Sequence, residues 1–420
     1  MARVSTEAAD PVLDLVRRLF QPESWLLPPD VRPPAMTGGR KRAGYVGEGA
    51  AAVPRQPASD GSRGASSVVL DGIVVGGRPR LIASPGKLGP ALFAHPGLRR
   101  PRERWQRRTL AAALAVRADR WSPGGSVRRE RHVVACEPSP GPHAVAFDVA
   151  GLAGTPRFMT VIRQGDDHYK PTLTLLDDKG CPVGYAKLGW TIPTAAMVRR
   201  EARALESMVA LSGSLRAPTL LGEGAHAGRP LLVTAPLPPG LFPSPSLNPP
   251  DVLTPFAGTP RAVTATDVLT PFDVTANLAR DRGDARRAEL IGLTQRRLSE
   301  VWRDGLSVTR SHGDWVPWNV AGARSGIWYA WDWEHYSPSR PSGFDALHWT
   351  VLTSREHGGK PWDRCYDELA DDRIDLAVFH ALTLLDRGEQ VRESDASDPY
   401  PIAPTLELLL KRLSRIQSGM

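Results

Sequence analysis

The sequence predicts an α+β fold with two lobes, in which a small antiparallel sheet with one helix precedes a larger, mostly helical lobe. Short apolar strand patterns separated by turn residues follow one another between residues 158 and 188. One amphipathic helical pattern comes next, and two further strand patterns follow it. Helical patterns then dominate from residue 286 onward.

The small lobe is predicted over residues 151–240. Its strand patterns occupy residues 158–163, 172–176, 183–188, 219–222 and 231–235. The turn sequence Asp177-Asp178-Lys179-Gly180 separates the second and third strands, which favours an antiparallel arrangement. A helix is predicted over residues 194–211, because apolar residues recur there every three or four positions.

Residues 241–276 are rich in Pro, Thr and Ser and are predicted to be an insertion or hinge. They contain a near repeat, residues 251–256 against residues 267–272, but two copies are too few for a repeat architecture. Residues 277–420 are predicted to form the helical catalytic lobe. Its helical patterns lie at residues 286–302, 345–352, 366–385 and 405–416.

Residues 1–150 are predicted to be an N-terminal extension. Residues 36–67 have the composition of a disordered segment, residues 67–83 resemble short strands or a hairpin, and a basic helix is expected at about 99–120. The first 140 residues carry 23 Lys and Arg against 12 Asp and Glu. Because no stacking aromatic pattern accompanies this charge, a solvated basic face is favoured and no nucleic-acid partner is expected. Peripheral contact with an anionic surface stays open.

Composition narrows the class of protein further. The three cysteines among 420 residues have neither metal-ligand nor disulfide spacing. This cysteine usage predicts a reducing, cytoplasmic location. Acidic residues near the N-terminus and the absence of a long apolar run predict a soluble protein with no transmembrane segment. The sequence does not indicate an oligomeric state.

The strongest chemical signal is the segment from His312 to Asn319, His-Gly-Asp-Trp-Val-Pro-Trp-Asn. It places the carboxylate of Asp314 and the amide of Asn319 on one tight loop. A turn predicted at residues 323–326 leads into a strand at residues 327–333, so Asn319 and Asp332 should lie near each other at the open end of a hairpin. An amide and a carboxylate at that spacing suit Mg²⁺.

The loop and the sequence Trp331-Asp332-Trp333-Glu334 resemble the catalytic and metal motifs of the aminoglycoside phosphotransferase and choline kinase family, which has a protein-kinase-like fold. The resemblance covers residues from about 155 to 390. It implies that Asp314 is the catalytic carboxylate, that Asn319 and Asp332 bind Mg²⁺, and that ATP is the phosphate donor.

The same resemblance implies a nucleotide-binding role for Lys187, on the third strand of the small lobe, in contact with the α and β phosphates. Glu201 on the following helix is its expected partner, and Glu206 is the alternative. Residues 163–169 should cover the phosphates, but they contain one glycine, which departs from the Gly-rich loop of protein kinases. The sequence does not distinguish ATP from GTP.

Further residues near the loop are given supporting roles. His312 and Asp345 are expected to brace the backbone. Glu334 is either an acid that supports the metal site or a solvated glutamate at a strand end. Trp315 is the best candidate for stacking on a ring-bearing substrate, although most tryptophans in this region are expected to pack in the core.

The predicted function is transfer of the γ-phosphate of ATP to a hydroxyl of a small molecule, of the sugar, amino sugar or amino alcohol class. The alternative is a kinase-like pseudoenzyme that binds a partner or metabolite. A protein kinase is disfavoured because Trp333 and Glu334 follow Asp332, where protein kinases have Phe-Gly.

Overall fold

The computed structural model describes only part of the chain in detail. The described residues are Leu15, Leu19, 66–75, 78–86, 92, 127–136, 140–161, 170–208, 214–242, 250–356, 359–367, 369, 371–392 and 401–419. The basic helix predicted at about 99–120, the phosphate-covering loop at 163–169 and nearly all of segment 36–67 lie outside these residues. They stay predictions.

The described chain is a mixed helix and sheet protein. Its strands are β1 (Ser66–Val75), β2 (Arg78–Ala83), β3 (Val127–Cys136), β4 (Arg157–Val161), β5 (Thr172–Leu176), β6 (Pro182–Leu188), β7 (Leu215–Arg216), β8 (Leu220–His226), β9 (Arg229–Thr234), β10 (Arg261–Val263), β11 (Leu306–Ser311), β12 (Val320–Gly322), β13 (Trp328–Ala330) and β14 (Ser337–Pro341). Its helices are α1 (Pro142–Val149), α2 (Ile192–Met208), α3 (Pro250–Ala257), α4 (Ala265–Leu269), α5 (Phe272–Asp281), α6 (Ala285–Val301), α7 (Phe344–Glu356), α8 (Ile374–Val391) and α9 (Ala403–Ser418).

The main sheet is antiparallel and has eight strands in the order β3-β1-β2-β4-β5-β6-β9-β8. The predicted strands at residues 158–188 and the later strand pair are confirmed by this pairing. The additional strands β1, β2 and β3 come from the region predicted to be an extension, and β2 joins them to β4.

Apolar alternation explains why β1 and β2 belong to this sheet. In β4, Phe158 packs on one face with Leu70 and Ile82, whereas its neighbour Met159 packs on the other face with Ile73 and Leu81. Both faces near these strands are therefore buried. Since each face of β1 and β2 completes a core cluster begun by β4 and β5, the sheet extends beyond the five strands expected from residues 151–240.

Segment 241–276, predicted to be an insertion or hinge, contains regular structure from residue 250 onward. The two copies of the Asp-Val-Leu-Thr-Pro-Phe repeat bury the same three residue types. The buried side chains are Val252, Leu253 and Phe256 in the first copy and Val268, Leu269 and Phe272 in the second. The prolines act differently: Pro255 lies inside α3, whereas Pro271 precedes the first residue of α5.

Helices α5, α6, α8 and α9 enclose the largest apolar core, together with α7. Between α6 and α7 the chain contributes β11, β12, β13 and β14 to two three-stranded sheets, β10-β11-β14 and β12-β13-β7, whose third strands, β10 and β7, come from earlier in the chain. The predicted catalytic loop connects β11 to β12, so one strand from each small sheet fixes its ends. Among the described residues, no helix combines the length and apolar character needed to cross a bilayer.

Candidate active site

Lys187 on β6 lies at the centre of a cluster of charged groups. Its Nζ donates to both carboxylate oxygens of Glu201 on α2, each at 2.7 Å, and it also contacts Asp332. The Lys187 and Glu201 side chains are 12% and 3% exposed, whereas Asp332 is 39% exposed. The predicted pairing with Glu201 is confirmed, and the alternative partner, Glu206, lies exposed on the same helix.

The surrounding carboxylates determine the charge of this cluster. Burial opposes the charge on Lys187, but the attraction of Asp332 and Glu201 outweighs it and raises the pKa of Lys187. Burial likewise opposes the charge on Asp332, but Lys187 outweighs that effect and lowers the pKa of Asp332. For Glu201, burial is the stronger influence and raises the pKa. Lys187 is thus a charged cation held between the carboxylates of Glu201 and Asp332.

The hairpin predicted from the sequence is present. Val320 pairs with Ala330 across β12 and β13, and the N–H of Trp331 donates to the carbonyl oxygen of Asn319 at 3.1 Å. Asp332 therefore follows directly after the residue that faces Asn319. Asp332 has a left-handed backbone conformation (φ 63°, ψ 54°), which ends the strand and starts a 3-10 turn at residues 333–335.

Asp314 accepts hydrogen bonds at both carboxylate oxygens. The Nδ2 of Asn319 donates to Oδ2 at 2.7 Å, and the Nε2 of His348 donates to Oδ1 at 3.0 Å. The guanidinium of Arg387 lies 3.6 Å from Oδ1. Burial opposes the charge, but the hydrogen bond from His348 and the charge of Arg387 hold the pKa of Asp314 well below its usual value. Asp314 is therefore an ionised carboxylate with a fixed orientation.

Asn319 and Asp332 have the donor chemistry of a magnesium site. The side-chain nitrogen of Asn319 is hydrogen-bonded to Asp314, so the side-chain oxygen of Asn319 is the atom able to face a cation. Amide and carboxylate oxygens are the hard ligands that Mg²⁺ prefers, so these residues fit that ion. Within the described ranges, no group of three or more His, Cys, Asp or Glu is arranged to hold a metal. A magnesium ion here would complete its shell with phosphate and water oxygens.

The loop from His312 to Asn319 is braced from two sides, as the sequence predicts for His312 and Asp345. One oxygen of Asp345 accepts from the Ser311 hydroxyl and the Gly313 N–H at 2.8 Å each, and the other accepts from the His312 N–H at 2.7 Å. The His312 ring accepts from the Asp314 N–H at 3.2 Å, and its other nitrogen donates to the Trp331 carbonyl at 3.0 Å. The loop is thereby bound to both α7 and the hairpin.

The structure resolves two roles that the sequence left open. Glu334 is buried and lies 2.6 Å from the Nζ of Lys170, so the interpretation as a solvated glutamate at a strand end is wrong. Trp315 is only 2% exposed and packs in the core with Trp333, so the prediction that it stacks on a substrate is also wrong. Lys170, the residue after the segment predicted to cover the phosphates, is a cation near the site that sequence reasoning missed.

Sequence reasoning also missed the groups that contact Asp314 from the helices. His348 lies three residues after Asp345 on α7, a spacing that places both on one face of the helix. That spacing was the available signal for His348. Arg387 lies on α8, 73 residues beyond Asp314, and no sequence pattern connects them.

A buried lysine paired with a helix glutamate, next to a loop bearing an aspartate and an asparagine, is the arrangement of the kinase class. The solved structures that the chain is similar to include two whose names describe kinases. The chain is similar to a protein described as a fructosamine-3-kinase from Haemophilus somnus 129PT, at 12% identity and a TM-score of 0.37, over 65% of this chain and 96% of the other. It is also similar to the choline kinase LicA from Streptococcus pneumoniae, at 13% identity and a TM-score of 0.29, over 63% and 92% of the two chains. No protein-family model and no curated protein sequence matches the chain.

Proposed function

We propose that this chain is a small-molecule phosphotransferase of the kinase-like, two-lobed type, which moves the γ-phosphate of ATP to a hydroxyl group with the help of Mg²⁺. The observation that carries the proposal is a pair of opposite charges near the open end of the hairpin. Lys187 contacts Asp332, which follows β13, and Asp314 accepts from Asn319, which precedes β12. Lys187 is a buried cation fixed by Glu201, and Asp314 is an ionised carboxylate fixed by Asn319 and His348. Phosphoryl transfer requires these two charges in fixed positions.

In the proposed reaction Asp314 orients the acceptor hydroxyl and accepts its proton. The acceptor oxygen forms a bond to the γ-phosphorus while the bond from that phosphorus to the bridging oxygen of the nucleoside diphosphate breaks. Lys187 neutralises the nonreacting phosphates, and Glu201 keeps the ammonium group in position. Fixed positions of charge and reactant supply most of the rate in such reactions, and proton transfer to Asp314 contributes about 10²- to 10⁴-fold.

Asn319 and Asp332 would hold the magnesium ion through their side-chain oxygens. The ion supplies neutralisation of the phosphate charge when it is bound. Asp332 also contacts Lys187, so one carboxylate links the proposed metal site to the proposed phosphate-binding lysine.

The acceptor is proposed to be a sugar, an amino sugar or an amino alcohol. This class rests on the resemblance of residues from about 155 to 390 to the aminoglycoside phosphotransferase and choline kinase family. The described contacts around Asp314 are made by the protein's own side chains and do not identify an acceptor. The competing hypothesis is a pseudoenzyme that binds a partner or metabolite. The retained set of Lys187, Glu201, Asp314, Asn319 and Asp332 favours an enzyme.

The test measures ATP consumption by the full chain with Mg²⁺ against a panel of sugars, aminoglycosides and amino alcohols. Asp314→Asn should reduce turnover by about 10²-fold or more, because a neutral amide cannot accept the proton. An asparagine side chain can accept from only one of the two donors that now face Asp314, so the substitution also removes one hydrogen bond from the loop. Nucleotide binding is measured in the same variant to separate this effect from the loss of the proton acceptor. It should stay within a few fold of the wild type.

Asp304→Asn is the matched control, because Asp304 is 92% exposed and the change of functional group is identical. Its turnover should equal that of the wild type. Full turnover in Asp314→Asn would contradict the assigned role. Absence of magnesium-dependent ATP binding in a thermal-shift assay would instead favour the pseudoenzyme.

A further inference from the structure

A chain of three buried side chains ends on the carboxylate of Asp314. The Nε2 of His348 lies 3.0 Å from Asp314 Oδ1, and its Nδ1 lies 2.9 Å from the Nε2 of His380. The Nδ1 of His380 in turn lies 2.7 Å from the hydroxyl of Tyr366. These residues come from α7, α8 and the 3-10 turn at residues 362–366. The catalytic motif contains none of them.

The direction of every hydrogen bond in this chain follows from the carboxylate. An ionised Asp314 can only accept, so His348 carries its hydrogen on Nε2. The Nδ1 of a neutral His348 then accepts from the Nε2–H of His380, whose Nδ1 accepts from the Tyr366 hydroxyl. With both histidines neutral, one arrangement of hydrogens satisfies all four groups. A second proton on either histidine would reverse the hydrogen bonds between that residue and Tyr366, so that the Tyr366 oxygen would accept instead of donate.

The surroundings keep all three groups neutral. Burial lowers the pKa of His348, and burial together with nearby positive groups, including Arg387, holds the pKa of His380 well below its usual value. Burial also raises the pKa of Tyr366, so its hydroxyl keeps its hydrogen. The Phe344 ring stacks on His348, with ring centroids 5.9 Å apart and planes inclined by 14°, and so restrains the plane of the imidazole.

We propose that Tyr366, His380 and His348 are positioning residues that hold the carboxylate of Asp314 in one orientation toward the acceptor hydroxyl. This inference rests on the proposed function. Tyr366 fixes the tautomer of His380, and His380 fixes the tautomer of His348. His348 therefore presents an N–H group to Oδ1 at all times, while Asn319 holds Oδ2.

The direction of the chain also excludes a second role for it. Each hydrogen already points toward Asp314, so the chain cannot receive a proton from that carboxylate without reversing all three hydrogen bonds. A proton that Asp314 accepts must leave by another route. The chain is thus a support for the carboxylate and not a path for the proton.

The kinetic test compares three variants of the full chain. Tyr366→Phe removes only the terminal hydroxyl, and kcat should fall about 2- to 10-fold, the effect of one ordinary hydrogen bond. His348→Leu removes the donor to Asp314, and kcat should fall on the order of 10²-fold. His348→Gln restores an amide donor of similar reach and should recover most of that loss. The KM for ATP should change little in each.

The matched control is His226→Gln. His226 is also buried, but it contacts the backbone of Leu19 and lies far from Asp314 in the main sheet. Its kcat should equal that of the wild type. Unchanged kcat in both His348→Leu and Tyr366→Phe would overturn the inference. If His348→Leu fails to fold, unchanged kcat in Tyr366→Phe overturns it.

A second readout does not depend on activity. Nitrogen-15 NMR of labelled histidine, assigned with the His348→Gln variant, should show His348 and His380 as neutral Nε2–H tautomers near neutral pH. Tyr366→Phe should shift the Nδ1 resonance of His380. Imidazolium or Nδ1–H signals for either residue would overturn the inference. If these tautomers are present but the wild type transfers phosphate to no acceptor, the proposed function fails while the hydrogen-bonded chain stands.

Discussion

Replacing Lys187 with methionine tests whether the burial of Glu201 depends on that cation. Both Glu201 oxygens bond to Lys187 at 2.7 Å, and the Glu201 side chain is only 3% exposed. Methionine has a similar shape and no charge, so the variant leaves Glu201 buried without its partner. Breaking a buried pair from one side costs about 3–5 kcal/mol of unfolding free energy. Asp332 is 39% exposed and can be hydrated, so it adds little to this loss.

The loss should depend on pH in a defined direction. Burial already raises the pKa of Glu201 above its ordinary value of 4.5, and removal of Lys187 raises it further. Above pH 4.5, and up to that raised pKa, the folded variant binds a proton that the unfolded chain does not. Stability of Lys187→Met therefore falls as pH rises through this window. Adding Glu201→Gln removes the charge and should recover most of the lost stability.

Urea unfolding followed by circular dichroism, at about pH 5 and about pH 8, measures these differences. Arg286→Met is the matched control, because Arg286 is 84% exposed in its pair with Glu407. Breaking that pair should cost less than about 1 kcal/mol. The reasoning is refuted if Lys187→Met costs no more than Arg286→Met. It is also refuted if the double variant with Glu201→Gln is as unstable as Lys187→Met alone.

Three further predictions concern the loop and its supports. Gly313→Ala should sharply reduce turnover, because Gly313 has φ +85° and an added Cβ would lie 2.1 Å from the carbonyl oxygen of His335. The control is Gly326→Ala, where φ is +80° but the space around an added Cβ is open, and it should cost only about 1–2 kcal/mol of stability. Asp345→Asn should cost about 1–3 kcal/mol in urea unfolding, since an amide cannot accept all three hydrogen bonds now made, and full stability would contradict the bracing role. Burial lowers the pKa of three histidines whose ordinary value is 6.5, so near and below that pH the unfolded chain binds more protons than the folded chain. Stability should therefore fall as pH decreases through about 6.5, and a flat profile in urea unfolding would contradict their neutrality. These histidines are His312, His348 and His380.

The parts of the site that the sequence predicts are those encoded by short spacing. Asp314 and Asn319 lie five residues apart on one loop, and the turn at residues 323–326 fixes the position of Asp332 relative to Asn319. Glu201 was predictable as the partner of Lys187 because its position on the helix lies beside the apolar face. In each case local geometry alone brings the groups together.

The rest of the fold depends on contacts between distant segments. The strand character of β1 and β2 was visible in the sequence, but their membership in the main sheet depends on the pairing of β2 with β4. That pairing depends on shared cores on two faces, which no local pattern encodes. Segment 241–276 was predicted to be an insertion or hinge because of its Pro, Thr and Ser content, yet the apolar residues of its near repeat are buried and Pro255 is accommodated inside α3.

The supports of Asp314 illustrate why such groups are hard to predict. His348 and His380 lie on helices whose neighbouring residues are mostly buried and apolar, so each histidine resembles an ordinary core residue in sequence. Tyr366 was expected inside a helix over residues 366–385, but that helix begins at Ile374. The 3-10 turn that replaces its first part brings the Tyr366 hydroxyl to His380. The hydrogen bonds therefore exist only after α7, α8 and this turn have packed together. Each donor in this chain has a single acceptor. The packing of the helical core therefore determines the orientation of the Asp314 carboxylate, although the residues of that core are distant from Asp314 in sequence.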